Sequence, residues 1–445
     1  MIVDKALREL ETNGRPIRVG MFGAGASGRA IALQLGTPAA GIRLVAISNR
    51  TPKHGDRAFQ EAGIREWRRV GTAGEAEAAI ARGFPVLTDD SSVLTGCDAI
   101  DVLVEVTGTV ETAAGVVLEA FDHGKHVVLV NAELDSLLGP ILKAKADEAG
   151  VVLTHTDGEE PAVAMTLVRY LRSVGLHPVA AGNLKGMVDH HRTPETQRAF
   201  AEKYGLDAKK TASFADATKL SMETTVLANA TGFQVGRRGM YGPACKHVSH
   251  MANLLPSEQM LSTGLVDYAL GAEPHTGAFV IVHEDSPLKK AQLAYYKLGD
   301  GPFYVFYTPF HLPYAQIAST IGRAVIDRDA TVAPLAGPVC EVVTMAKRDL
   351  EAGEILDGIG GFCTYGLIDN TDKARAVNSL PIGLSEGRRL LRDIPKDNAI
   401  ALDDVESGRE GLADQLWREQ FERWPVAAQT SRARLAMQTP ATANG

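Results

Sequence analysis

The run GMFGAGASGRA, residues 20–30, constrains this chain more than any other stretch. It follows the short apolar segment 17–22 and opens into a segment that reads as a helix from about Arg29. The spacing Gly23-x-Gly25-x-x-Gly28 gives each glycine its own task. Gly23 permits a tight turn, Gly25 lets the backbone approach a pyrophosphate, and Gly28 lets helix and strand pack closely. Phosphates then meet free N–H groups at the helix N-terminus, which brings Ala26 and Ser27 into the expected loop. Strand, glycine loop and helix in this order predict an α/β protein with an N-terminal Rossmann doubly wound sheet that binds a dinucleotide.

The next expected strand, IRLVAISNR (42–50), refines the cofactor. A site for NAD usually carries Asp or Glu at this strand's end, to hold the ribose 2′-hydroxyl. Here Ser48, Asn49 and Arg50 stand in that place, followed by Thr51 and Lys53. No acid repels a 2′-phosphate and a cation is at hand, so NADP(H) is expected. Further apolar strands end in Thr107-Gly108 and in Asn131-Ala132-Glu133, and a third runs over 150–161. Polar and glycine residues thus gather at the carboxyl ends of strands, where open α/β sheets bind ligands. Thr107, Gly108, Asn131 and Glu133 join the expected cofactor residues, and the domain spans 1–160.

A chain of 445 residues exceeds one core and requires more than one domain. From 161 the glycine fingerprint does not recur. A helix (161–175), a strand ending in Asn183 and Lys185, and strand-like runs at 277–284 and 301–313 predict an α+β substrate and oligomerisation domain over 161–340. A helix at 314–326 can return to the first domain. Short strands and turns then predict a small β-rich domain over 341–425, and 426–445 has the composition of a loose tail.

SFADATKLSMETTVLANATGF (213–233) holds the residues of most chemical interest. Read as one helix, it sets Asp216, Lys219 and Glu223 at i, i+3 and i+7 on one face. Such a row is either a solvated ion-pair stripe or the wall of an active site. The polar end at Asn229 favours contact with a ligand. A carbonyl becoming an alkoxide needs a proton donor at its oxygen. Lys185, at a strand end in GNLKG, is the first candidate and Lys219 the second. Glu159-Glu160-Pro161 can wall the site or complement a helix dipole. Asp189-His190-His191 offers ligands to a divalent metal, and Arg237-Arg238 offers guanidinium groups to a phosphate.

Several classes are excluded. The net charge of −8 argues against nucleic-acid binding. No apolar run reaches membrane-spanning length, and the N-terminus does not read as a signal peptide. Cys97, Cys245, Cys340 and Cys363 form no Cys-x-x-Cys pair, which fits free thiols in a cytoplasmic protein.

Four features occur together: GAGASG; GNLKG with TPETQ; the 213–233 stretch; and, in the β-rich C-terminus, DLEAGEIL and DIPKDNAIALDDV. Over about 15–425 the chain resembles the homoserine-dehydrogenase-like oxidoreductases with a C-terminal SAF (β-clip) domain. Within these it resembles the deoxyxylulose-phosphate reductoisomerase-like (DRL) enzymes. The resemblance implies an NADPH-dependent enzyme acting on a small, phosphorylated, sugar-like carbonyl compound, as in the conversion of deoxyxylulose phosphate to methylerythritol phosphate in isoprenoid biosynthesis. It implies catalytic roles for Lys185, Lys219, Asp216, Glu223 and Asn229, and a homo-oligomer. A reductoisomerase would also call for Mg or Mn as Lewis acid. GNLKGMVDHHRTPETQ departs from the DRL pattern and leaves open a plain homoserine-dehydrogenase-type enzyme of surface-sugar biosynthesis. A non-catalytic dinucleotide-sensing binding protein is the alternative of another class.

Overall fold

A computed structural model describes residues 3–37, 39–408 and 410–425; the expected tail at 426–445 lies outside them. The chain forms two compact units. The first comprises Met1–Glu159 and Leu312–Ala333, and the second Glu160–His311 with the chain from Pro334 onward.

The first unit is built on seven parallel strands: β1 (Ile17–Phe22), β2 (Ile42–Ser48), β3 (Arg68–Arg69), β4 (Val86–Thr88), β5 (Val102–Glu105), β6 (His126–Leu129) and β7 (Leu153–His155). Their order is β3-β4-β2-β1-β5-β6-β7. Winding therefore reverses at β1, the doubly wound arrangement expected from the glycine loop. Register aligns Thr88, Ser48, Phe22, Glu105, Leu129 and His155 along one carboxyl edge. Val19, Met21, Val104 and Val128 fill the core. Ile317 and Ile321, from the helix Ile317–Gly322, join that same core. The 312–333 segment thus returns to the first unit, as the helical pattern near 314–326 suggested.

The second unit holds a mixed sheet in the order β11-β10-β8-β9. β8 (His177–Lys185) pairs parallel with β9 (Leu265–Leu270) and antiparallel with β10 (Ala278–His283), which pairs with β11 (Phe303–Thr308). β12 (Cys340–Ala346) and β13 (Thr364–Asn370) form a separate antiparallel pair. Strand and turn residues of the 341–425 segment lie in this unit together with 160–311.

The helix expected over 213–233 is two helices, Ala208–Ala215 and Thr218–Thr231. Ala217 separates them with φ +74°, a left-handed conformation that an alanine adopts only at a cost. Asp216 holds the break by accepting a hydrogen bond from the Thr218 N–H. The helix Thr218–Thr231 has no wet face, since every residue but the half-buried Lys219 is buried. It packs on β8 and the helix Glu160–Ser173, and also on β12 and β13. Its threonine hydroxyls donate to carbonyls one turn back, Thr224 to Leu220 and Thr225 to Ser221. That satisfies polar groups in a helix buried all round. No described helix is long and apolar enough to cross a membrane.

Candidate active site

The glycine loop has the geometry its spacing demands. Gly23 follows β1 with φ +99°, and a Cβ there would press on the Val106 backbone at 3.1 Å. A Cβ on Gly28 would lie 2.3 Å from the Gly23 carbonyl oxygen, so only glycine lets the helix Ala26–Gly36 close on the loop. A Cβ on Gly25 would meet no atom within 4 Å. Gly25 therefore borders open space at the helix N-terminus, the cradle a pyrophosphate requires. Ser27 Oγ lies 3.0 Å from the Tyr314 hydroxyl, so the returning segment buttresses the loop.

The other expected cofactor residues divide into those that shape this edge and those that face outward. Ser48 accepts the Gly23 N–H through its carbonyl. Asn49 Oδ1 accepts the Ala24 N–H at 2.9 Å, while its Nδ2 donates to the Thr51 carbonyl. The Asn49 amide is thus spent on holding the loop. Arg50 is exposed at the end of β2. Glu105, which sequence reasoning passed over, organises the next loop. It is buried and accepts from the Thr107 N–H, the Thr107 hydroxyl and Asn131 Nδ2. Burial pushes its carboxyl pKa up against those hydrogen bonds. Asn131 also donates to the Thr109 carbonyl and caps the helix Ala132–Glu148 by accepting from Leu134 N–H. Gly108 takes φ +65° in this loop, and Glu133 lies in the first turn of the capped helix.

A second cluster forms in the other unit. Asn183 and Lys185, two apart on β8, point to one face. Lys185 Nζ lies 2.6 Å from Glu160 Oε2 and 3.6 Å from Glu223 Oε2. Asn183 Nδ2 donates to the same Glu160 oxygen at 2.7 Å. His311 Nε2 stands 3.9 Å from Glu160 Oε1. Three carboxylate and amide side chains are thus buried around a lysine whose side chain keeps 22% exposure. Burial alone would lower the Lys185 pKa, but the two carboxylates raise it, so the amine stays an ammonium ion. Burial raises Glu160, opposed by the Lys185 charge and reinforced by Glu223. Two acids sharing one ammonium keep a proton on the lysine at the exposed end of the cluster, where it can hydrogen-bond an oxygen and stabilise negative charge developing there.

Of the three ionisable residues expected on one face, Glu223 lies beside Lys185 and Asp216 does not. Asp216 caps the preceding helix and is buried against Lys347, whose Nζ lies 2.8 Å from its Oδ2. Lys347 also donates to the carbonyls of Arg192 and Gly361. Lys219, in the first turn of the later helix, is half-buried. Asn229 is a structural residue: its Oδ1 accepts the Val339 and Cys340 N–H groups at 2.8 and 3.0 Å. The polar end of that helix is spent on backbone that enters β12, which is why it resembled a ligand contact.

Asp189-His190-His191 does not converge on one point. Asp189 pairs with Arg192, His190 bonds the Asp216 carbonyl, and His191 lies 2.9 Å from Asp397. Among the described residues no group of three or more His, Cys, Asp or Glu side chains is placed to hold a metal ion. Arg238 pairs with Asp369, and Arg237 bonds the Met240 and Tyr241 carbonyls. Of the Glu159-Glu160 pair, Glu159 reaches back to His155 in the first unit and Glu160 builds the cluster.

Residues 23–155 match the family model for the homoserine dehydrogenase NAD binding domain. Residues 158–315 match the family model for the catalytic domain of oxidoreductase DRL. The two matches meet within a few residues of the boundary between the compact units. No curated protein matches the chain. Among solved structures, apo scyllo-inositol dehydrogenase from Lactobacillus casei is 11% identical, covering 71% of this chain and 89% of its own at a TM-score of 0.39. A 3-ketoreductase from Actinomadura kijaniata, solved with TDP-benzene and NADP, is 15% identical over 70% of this chain and 90% of its own, with a TM-score of 0.36. At these scores neither bears on the substrate.

Proposed function

We propose that this NAD(P)-dependent oxidoreductase reduces a small sugar-like carbonyl compound with NADPH, and that Lys185 supplies the proton. One observation carries the reading: an ammonium ion held between two buried carboxylates, Glu160 and Glu223, in the segment that matches an oxidoreductase catalytic domain.

When bound, the reduced nicotinamide supplies the hydride that reaches the carbonyl carbon. Lys185 hydrogen-bonds the carbonyl oxygen and passes it a proton as negative charge develops there. Glu160 and Asn183 fix the direction of the lysine, and Glu223 holds the ammonium charge in place. The balance is one hydride to carbon and one proton to oxygen, giving an alcohol and the oxidised cofactor. Gly25, Ala26 and Ser27 would hold the pyrophosphate, with Arg50 beside the ribose 2′-phosphate. The preference for NADPH is supported by the absence of a carboxylate at Ser48, Asn49 and Arg50.

The DRL catalytic-domain match supports a reaction near that of the reductoisomerase-like enzymes, with a phosphorylated ketose as substrate. A homo-oligomer belongs to the same reading. The helix Pro287–Tyr295 buries none of its residues, and Leu288, Tyr295 and, just past its end, Tyr296 are exposed.

NADPH oxidation against a panel of ketoses, aldoses and their phosphates tests the proposal. Turnover of at least one, with NADH slower, is expected. NADPH binding with no turnover of any would favour a dinucleotide-sensing protein and overturn it.

A further inference from the structure

Among the described residues, two buried acceptors of the Lys185 cluster, Asn183 Oδ1 and Glu223 Oε2, stand without a donor within hydrogen-bond length. The Asn183 amide is oriented by its own N–H bond to Glu160, which leaves the oxygen as the free end. Glu223 Oε2, at 3.6 Å from Lys185 Nζ, is within ion-pair range but beyond hydrogen-bond length. Buried acceptors without donors are uncommon in folded proteins, and one established reason for them is a ligand that completes them.

The chemistry of the cluster says which ligand. Glu160 and Glu223 are two carboxylates facing one ammonium, with His311 3.9 Å from Glu160. The two open positions, Asn183 Oδ1 and Glu223 Oε2, are acceptors, and the oxygens of a phosphate dianion are acceptors as well, so these positions offer an anion no hydrogen bond. Arg237 and Arg238, the guanidinium groups that the sequence offered to a phosphate, are engaged with the Met240 and Tyr241 carbonyls and with Asp369.

We propose that Asn183 and Glu223 recognise the hydroxyl-bearing part of the substrate, a polyol segment giving one O–H donor to each, and that this subsite rejects phosphate. The inference rests on the reading that the Lys185 cluster is the active centre. A phosphorylated substrate would then bind with its hydroxylated carbons here and its phosphate elsewhere. Asn183 and Glu223 become the residues that select for hydroxyl groups.

The test uses the full chain with NADP⁺ present and two probes, xylitol and inorganic phosphate, titrated calorimetrically. Xylitol is expected to bind the wild type and to lose at least tenfold in affinity in Asn183→Leu and in Glu223→Leu. Phosphate is expected not to displace it. Glu223→Gln, which keeps the side-chain volume and removes one negative charge, guards against misfolding of the leucine variants. It is expected to admit phosphate at least tenfold more tightly than the wild type does. No xylitol binding, xylitol binding unchanged in all three variants, or displacement of xylitol by phosphate from the wild type would overturn the inference. NADPH oxidation on the carbonyl panel is read separately. Turnover without the xylitol pattern overturns the subsite alone. The xylitol pattern without turnover overturns the reductase reading and leaves the hydroxyl subsite standing.

Discussion

Replacing Lys347 by methionine should unlock the helix that carries Glu223. Lys347 is buried and places all three N–H donors on protein oxygens: Asp216 Oδ2 at 2.8 Å, the Arg192 carbonyl at 2.7 Å and the Gly361 carbonyl at 2.8 Å. Methionine fills similar space and offers none of these. Asp216, fully buried, is then left as an uncompensated carboxylate. Removing one partner of a buried ion pair costs about 3–5 kcal/mol. That is a large part of the roughly 5–15 kcal/mol that stabilises a typical domain. The pH dependence carries a sign. Burial already raises the Asp216 pKa, opposed chiefly by Lys347, so losing the lysine raises it further. A carboxyl that binds its proton more tightly when folded makes stability fall as pH rises. The variant should therefore be closest to wild type at mildly acid pH and furthest from it at pH 8. Adding Asp216→Asn should recover at least about half of the loss, because the amide carries no charge to desolvate. Urea unfolding followed by tryptophan fluorescence is the assay, since Trp417 and Trp424 both lie in the second unit. A loss below about 1 kcal/mol, flat with pH, would mean that the pair behaves as a surface salt bridge and would refute the reasoning.

Three further outcomes are expected. His155 is buried between Asp135 and Glu159; burial opposes its charge, but the two acids win and raise its pKa to about 9. A rise from the ordinary value near 6.5 is worth on the order of 3 kcal/mol to the folded state. This stability is fully present below about pH 6.5 and lost as pH rises through about 9; His155→Gln should abolish that alkaline slope in urea titrations. Arg50→Ala should weaken NADPH roughly tenfold and leave NADH nearly unchanged, as fluorescence titration would show. A chain ending at residue 333 should still bind NADPH, because the glycine loop and its sheet lie in the first unit, but should show no carbonyl reduction. That truncation removes Gly366, Val339, Cys340 and Lys347, the partners of Thr218, Asn229 and Asp216.

The glycine loop was legible because its logic is local. Gly23, Gly25 and Gly28 act within a single turn, so their spacing reports their geometry directly. Asn183 and Lys185 share a strand face for the same reason: alternation is a short-range rule. The 213–233 row failed where locality failed. Helical periodicity continued through Asp216 and Ala217, although the chain turns left-handed there. The partner that fixes Asp216 stands 131 residues away in sequence. Asn229 misled in the same manner, since the backbone that it binds lies more than a hundred residues downstream. Glu160 drew equal weight with Glu159 because neighbouring carboxylates look alike until the fold sends one to His155 and the other to Lys185. Glu105 gave no signal, being one acid at the end of an apolar strand.

The most direct test of the account is the Lys185→Ala variant, assayed in parallel for NADPH affinity and for oxidation of NADPH by the carbonyl compounds that the wild type reduces. The proton-donor role predicts that kcat falls by roughly 10²–10⁴ while NADPH binds nearly as tightly as before. Retention of kcat within a few-fold of wild type would contradict the account, and place the proton donor elsewhere than in the Glu160–Lys185–Glu223 cluster.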